Sequence, residues 1–226
     1  TLAFIEEITY YTVEDLKDKA SSLIYFKDIK EACSAVTKLK LAKEANTINV
    51  EAVELMDRAG LKSIENDPAM PAFIKDFDEN VTALLIETRA ISDAQLDIQT
   101  AQIEELLKEF SVVRDIYFTK DVAEYTLYWK IRKGLFPAVG AVRVTGTTVI
   151  IEDVAYPIEC LADATLELQD LFKKHGYSEA LIFGHALEGN FHFVFTQDFS
   201  DAKEVKRYDD FMNDVVHSVA VKYQGS

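Results

Sequence analysis

One stretch of the 226-residue chain gathers side chains that could do chemistry: Phe183-Gly184-His185-Ala186-Leu187-Glu188-Gly189-Asn190-Phe191-His192-Phe193. Two of the chain's four histidines fall within it. Glu188-Gly189 is a turn signal between two apolar runs, so the stretch reads as a β-hairpin. With the hairpin centred on that dipeptide, Leu187 faces Asn190, Ala186 faces Phe191 and His185 faces His192. Directly opposed residues share one sheet face, with Cβ atoms about 4.5–5.5 Å apart. Two imidazoles at that separation can converge on one metal ion. Zn²⁺ or Mn²⁺ would want at least a third ligand, often a carboxylate. Glu188 sits on the turn and points elsewhere, and Gly184 leaves room for another group to approach the backbone. The plainer reading stays open beside this one: strand histidines are commonly satisfied polar residues, and the pair is then structural. His175 lies at a helix end, where a cation suits the helix dipole, and reads as surface; His217 lies off its apolar stripe and reads as solvated.

The elements that must position this hairpin follow from hydropathy and capping signals. Strands are expected at Leu2–Ile8, Ser22–Phe26, Val50–Leu55, Thr82–Thr88, Asp115–Phe118, within Val142–Tyr156, and at Ala180–Leu187 and Phe191–Gln197. Asp28 caps a helix through about Leu41, with Ile29, Ala32, Cys33, Val36 and Leu39 on one face. Asp57–Ile64 is a short helix broken by the prolines that follow, and Ser92 caps a long helix to Phe110. Asp121–Ile131 is helical and ends at Gly134, as the preference for Gly at helix C-termini suggests. Pro157 opens a helix to His175-Gly176, and Ser200 or Asp201 caps a last one. The second half then runs β-α-β-β-α, one strand short of the ferredoxin-like β-α-β-β-α-β unit. The expectation is an α+β domain: a largely antiparallel sheet with helices on one face, built of ferredoxin-like units. Its sub-halves span about 1–135 and 140–226, joined by a linker near Gly134–Gly140.

Composition narrows the class. Lys plus Arg total 24 and Asp plus Glu total 39, a net charge of −15, and 49% of residues are apolar. Such a chain has ample material for a core and is not disordered. Nucleic acid is not an expected partner, because that binding rests on clustered Lys and Arg. Two isolated cysteines, Cys33 and Cys160, form no C-x-x-C and suit a reducing, cytoplasmic compartment. No run of about 18 apolar residues is present, so no transmembrane helix is expected. The chain starts with Thr1 inside a predicted strand and stops just after a helix, which suggests a piece of a longer protein. A missing last strand would leave a sheet edge open to pairing between chains, and hence to a homo-oligomer.

The segment Gly184-His185-x-x-x-Gly189-Asn190-x-His192 resembles the G-H-x-x-x-G-N-x-H signature of the FAD-linked oxidase C-terminal domain. That domain occurs in flavoproteins that oxidise D-2-hydroxy acids, such as D-lactate, glycolate and D-2-hydroxyglutarate dehydrogenases. Thr1-Leu2-Ala3-Phe4-Ile5 is similar to the family's G-T-L-G-I segment, Ile131-Arg132-Lys133-Gly134-Leu135 to its Arg-bearing helix end, and Asp153-Val154-Ala155-Tyr156-Pro157 to its D-x-x-x-P segment. The stretch Ala52-Val53-Glu54-Leu55-Met56-Asp57-Arg58 resembles large bacterial members that also carry an iron–sulfur half. The resemblance covers essentially the whole chain.

The resemblance implies a substrate- and metal-binding cap over FAD, with the flavin held mainly by a domain preceding Thr1. His185 and His192 would ligate a divalent Zn or Mn ion, and Arg132 would meet the carboxylate of a small anionic 2-hydroxy acid. Asn190 would form the turn, and Lys133 reads as a solvated helix-end charge. Some relatives carry a Lys just before the D-x-x-x-P segment, where this chain has Ile151 and Glu152. The third metal ligand and the catalytic His would come from an E-H-G-T-G motif beyond Ser226, so the chain alone is expected to be inert. The electron acceptor is unspecified, and a peripheral place at the inner membrane face is compatible with the resemblance. Two other classes compete: a small-ligand-binding or regulatory ferredoxin-like module whose His pair is structural, and a metal-dependent hydrolase. The latter needs a positioned general base near the His pair, and no nearby carboxylate run supplies one.

Overall fold

The structure, a computed structural model, describes residues 4–68 and 70–226, with the side chains of 136–142 left aside. Six strands form one antiparallel sheet: β1 (Asp18–Phe26), β2 (Ala52–Met56), β3 (Thr82–Ala90), β4 (Thr148–Ala155), β5 (Leu181–His185) and β6 (Asn190–Gln197), in the order β1-β3-β2-β5-β6-β4. The α-helices among the described residues are α1 (Ile29–Glu44), α2 (Arg58–Ile64), α3 (Asp93–Leu107), α4 (Val122–Val142), α5 (Leu161–His175) and α6 (Ala202–Val216). The α+β, largely antiparallel expectation holds. Each half contributes three strands in the order first-third-second, as in a ferredoxin-like unit. The halves meet where β2 pairs with β5.

Local chemistry explains most of the helix starts. The side chains of Asp28, Asp57, Ser92, Asp121 and Asp201 accept hydrogen bonds from the N–H groups of Glu31, Gly60, Gln95, Glu124 and Lys203. Each cap satisfies an N–H that the helix itself cannot bond. Gly176 ends α5 in the left-handed conformation, φ 74°.

Strand alternation divides the sheet into two faces. Ile24, Phe26, Val53, Leu55, Leu84, Ile86, Ile182 and Phe193 enter the main core with α1, α3, α5 and α6. Tyr25, Met56, Ala83, Leu85, Leu181, Phe183 and Val194 turn the other way and pack with Leu61 of α2 and Ile131 and Leu135 of α4. The main helical layer lies on one face as expected, and α2 with α4 adds a second, partial layer on the other.

Several boundaries differ from the sequence reading. In the predicted Leu2–Ile8 strand, residues 4–8 form no strand, and residues 1–3 lie outside the described residues, as does most of the Thr1–Ile5 resemblance. Asp115–Phe118 is not a strand: Val112 and Thr119 each bridge to β1, at Phe26 and Ser21, and the longer chain between them bulges away. The expected stop at Gly134 and linker at Gly134–Gly140 are replaced by the continuous α4. Leu127, Ile131 and Leu135 recur every fourth residue and pack on the sheet. That packing outweighs the cost of one interior glycine, about 1 kcal/mol. The expected break at Thr145-Gly146 is the turn that precedes β4, with Gly146 at φ 96°.

At its far edge β4 meets the chain terminus: Ser226 and Ala155 exchange backbone hydrogen bonds of 2.7 and 3.0 Å. Among the described residues no helix is long and apolar enough to cross a membrane.

Candidate active site

The histidine hairpin forms, but two residues out of the expected alignment. Phe183, not His185, stands opposite His192. Residues Ala186–Glu188 coil into a 3₁₀ turn closed by Gly189 at φ 69°. The four residues Ala186–Gly189 between the strands are centred on Leu187-Glu188 rather than on Glu188-Gly189, so the centre moves by one residue and the register by two. A shift of two preserves the face of every side chain. His185 and His192 therefore remain on one face as diagonal neighbours, with ring centroids 5.4 Å apart and planes at 82°. The group that approaches Gly184 closely is the backbone of β6: a Cβ there would lie 2.6 Å from Asn190 O.

The register leaves His185 opposite a different residue. Across the β2–β5 seam its Cα partner is Glu54. Glu54 is 5% exposed, on the α4 side of the sheet between Val53 and Leu55, which face the main core. Its Oε1 lies 2.7 Å from His185 Nδ1, and its Oε2 accepts from Arg132 Nε at 2.8 Å. The guanidinium carbon of Arg132 stands 4.8 Å from the centroid of the Phe183 ring. That same ring lies 5.2 Å from His192. His192 Nδ1 in turn meets Asp153 Oδ1, from the register partner of His192 on β4.

Sequence reasoning identified His185, His192 and Arg132, and the structure brings all three together. It did not single out Glu54 or Asp153 as partners of the histidines. Arg132 is ion-paired with Glu54, and its side chain is 11% exposed. The residue also sits within α4 rather than at a helix end. Asn190 opens β6 and donates from Nδ2 to Val154 O at 3.3 Å. Lys133 is exposed and lines a neighbouring cleft of about 620 Å³ with Lys19, Glu87, Arg89, Tyr125 and Trp129. Glu188 points away to Lys40, at 2.9 Å. His175, read as surface, is largely buried against Phe211 and bonds Asp214 Oδ2 through Nε2 at 2.7 Å. His217 is exposed.

A carboxylate accepts hydrogen bonds and cannot donate them, so the Nδ1 atoms of His185 and His192 carry the hydrogen. A ring whose single hydrogen sits on Nδ1 offers Nε2 as its lone-pair donor. Two such imidazoles suit two positions of a Zn²⁺ or Mn²⁺ site. Among the described residues no group of three His, Cys, Asp or Glu side chains is placed to hold a metal ion.

Below the site, Asp57 ties the same seam. Its Oδ1 accepts from Gly60 N at 2.8 Å and its Oδ2 from Ile182 N at 2.9 Å. Its own N–H donates to Ile182 O. Burial pushes its carboxyl up to about 7, against the opposite pull of the two N–H donors.

Comparison with known proteins adds family and fold. The family described as FAD linked oxidases, C-terminal domain, matches residues 16–226. No curated protein sequence matches the chain. Among solved structures, an alkyldihydroxyacetonephosphate synthase is similar with a TM-score of 0.60 and 13% identity, over 90% of this chain and 40% of that one. A 4-ethylphenol oxidase from Gulosibacter chungangensis, in complex with isoeugenol, is similar at 0.60 and 11%, over 92% and 45%. A p-cresol methylhydroxylase with substrate bound is similar at 0.55 and 15%, over 88% and 42%. The chain thus spans less than half the length of these proteins, and at such identities the likeness is one of fold.

Proposed function

The chain belongs to the family of FAD linked oxidase C-terminal domains, and from that premise we propose that it is the substrate- and metal-binding cap of an FAD-dependent D-2-hydroxy acid dehydrogenase. The substrates proposed are D-lactate or D-2-hydroxyglutarate, oxidised to the 2-oxo acid. The observation that supports this reading is the pair His185 and His192 on one sheet face with Arg132 of α4 beside it, both Nδ1 atoms being held by carboxylates.

In this reading Arg132 binds the substrate carboxylate and sets its orientation, a task suited to a planar guanidinium with several donors. Phe183, stacked beside it, holds the guanidinium plane. His185 and His192 would hold the metal through Nε2, and bound Zn²⁺ or Mn²⁺ would supply Lewis acidity toward the 2-hydroxyl oxygen. Bound FAD would supply the two-electron acceptor.

The test is dye reduction by the full-length, FAD-loaded protein with D-lactate and D-2-hydroxyglutarate, alongside their L enantiomers. Turnover of a D acid is expected, with loss of both bound metal and turnover in His185→Ala and His192→Ala. If no D-2-hydroxy acid reduces the dye in metal-replete protein, the proposal is wrong.

A further inference from the structure

The geometry points to Glu54 as a positioning residue that serves both the histidine and the arginine of the site at once, and we propose it in that role. This rests on the functional reading above. Neither His185 nor Arg132 is placed by its own element alone. His185 ends β5, where the chain turns into the 3₁₀ coil, and its side chain is 55% exposed. Arg132 hangs from α4, on the second layer. The buried carboxylate between them comes from β2, whose backbone is paired on both sides, to β3 and to β5. Glu54 is thus the rigid member, and the two functional side chains lean on it through different oxygens.

The chemistry of that arrangement is specific to a carboxylate. One oxygen accepts from His185 Nδ1, which fixes the tautomer and turns the lone pair of Nε2 outward. Such an outer partner also raises the basicity of a metal-binding imidazole, and its loss typically costs about 10- to 100-fold in metal affinity. The other oxygen accepts from Arg132 Nε and balances the charge of a largely buried guanidinium. A glutamine of the same shape can do only one of these things. If its oxygen faces Arg132, its NH₂ meets His185 Nδ1 and favours the wrong tautomer, with hydrogen on Nε2. If its oxygen faces His185, its NH₂ meets a second donor at Arg132 Nε. Asp153 makes the matching contact to His192, but it is 66% exposed on the edge strand β4, so water can replace it. Its loss should matter less.

The test reads the tautomer directly, without metal, from the ring ¹⁵N shifts of His185 and His192 at a pH where both are neutral. The wild type should show hydrogen on Nδ1 at both rings. Glu54→Gln should move His185 toward the Nε2–H form, leave His192 unchanged, and lower Zn²⁺ affinity by about 10- to 100-fold in a calorimetric titration. Asp153→Asn should change Zn²⁺ affinity by a smaller factor. Hydrogen on Nε2 of His185 in the wild type overturns the proposal without any variant being needed. A Glu54→Gln protein with unchanged tautomer and affinity within twofold overturns it as well. If His185→Ala binds Zn²⁺ as tightly as wild type, the metal reading of the site fails instead, and the metal-free tautomer measurement still decides the role of Glu54.

Discussion

Glu54 Oε1 and His185 Nδ1 lie 2.7 Å apart across the β2–β5 seam, where, among the described residues, the two halves of the sheet are hydrogen-bonded strand to strand. The contact joins residues 131 positions apart in sequence. It also fixes where Arg132 of α4 can rest, because the second oxygen of the same carboxylate holds its Nε. The candidate site is therefore built on the joint between the halves.

Arg132→Ala should destabilise the fold by about 3–5 kcal/mol, because it strands a buried carboxylate after removing its cation. Arg132→Ala combined with Glu54→Ala should be less destabilised than the two single losses added together. Urea denaturation of the four proteins of this cycle measures the coupling, and strict additivity would show that the pair contributes nothing.

Gly184→Ala should be disruptive out of proportion to one methyl group. The added Cβ would meet Asn190 O at 2.6 Å and Phe191 Cα at 2.8 Å, both backbone atoms of β6. The strands must part locally, at a cost of about 1–3 kcal/mol, and His185, the next residue, moves with them. Thermal unfolding together with Zn²⁺ titration should show losses in both stability and affinity.

Gly134→Ala should stabilise the protein by about 0.5–1 kcal/mol. Gly134 lies inside α4, and an added Cβ meets nothing within 4 Å. Alanine costs less backbone entropy in a helix interior. A drop in melting temperature would mean that this segment is not helical in solution.

Asp57 should give stability a distinctive pH dependence. Burial pushes its folded-state carboxyl up to about 7, whereas an unfolded aspartate releases its proton near 4. Between about pH 4 and pH 7 the folded chain holds the extra proton, so raising the pH across that window disfavours folding, and above it the effect is flat. The contribution is therefore largest below about pH 4. Asp57→Asn cannot titrate, so the difference in urea midpoint between wild type and variant should change across this window and level off above it. A pH-independent difference would show that Asp57 is ionised throughout.

Much of the fold was legible because it depends on local order. Caps such as Asp28, Ser92 and Asp201, and alternations such as Val53-Glu54-Leu55, act within a few residues of themselves. The misjudged places were those where a distant contact overrides a local preference. Gly134 reads as a helix end until Ile131 and Leu135 find the sheet. Asp115–Phe118 reads as a strand until its length is compared with the part of β1 it must follow.

By itself the sequence determined that His185 and His192 share a face, because strand parity survives any even shift in register, and that the motif around them is that of this family. Only the tertiary structure decided the partners. A glutamate between two core residues of β2 announces that it faces the other side of its strand, but not which neighbour it will meet. That depends on the pairing of β2 with β5, and strand pairing is a choice among distant segments that no local pattern encodes. Glu54 and Asp153 became visible only once the sheet order and register had placed them beside the two rings.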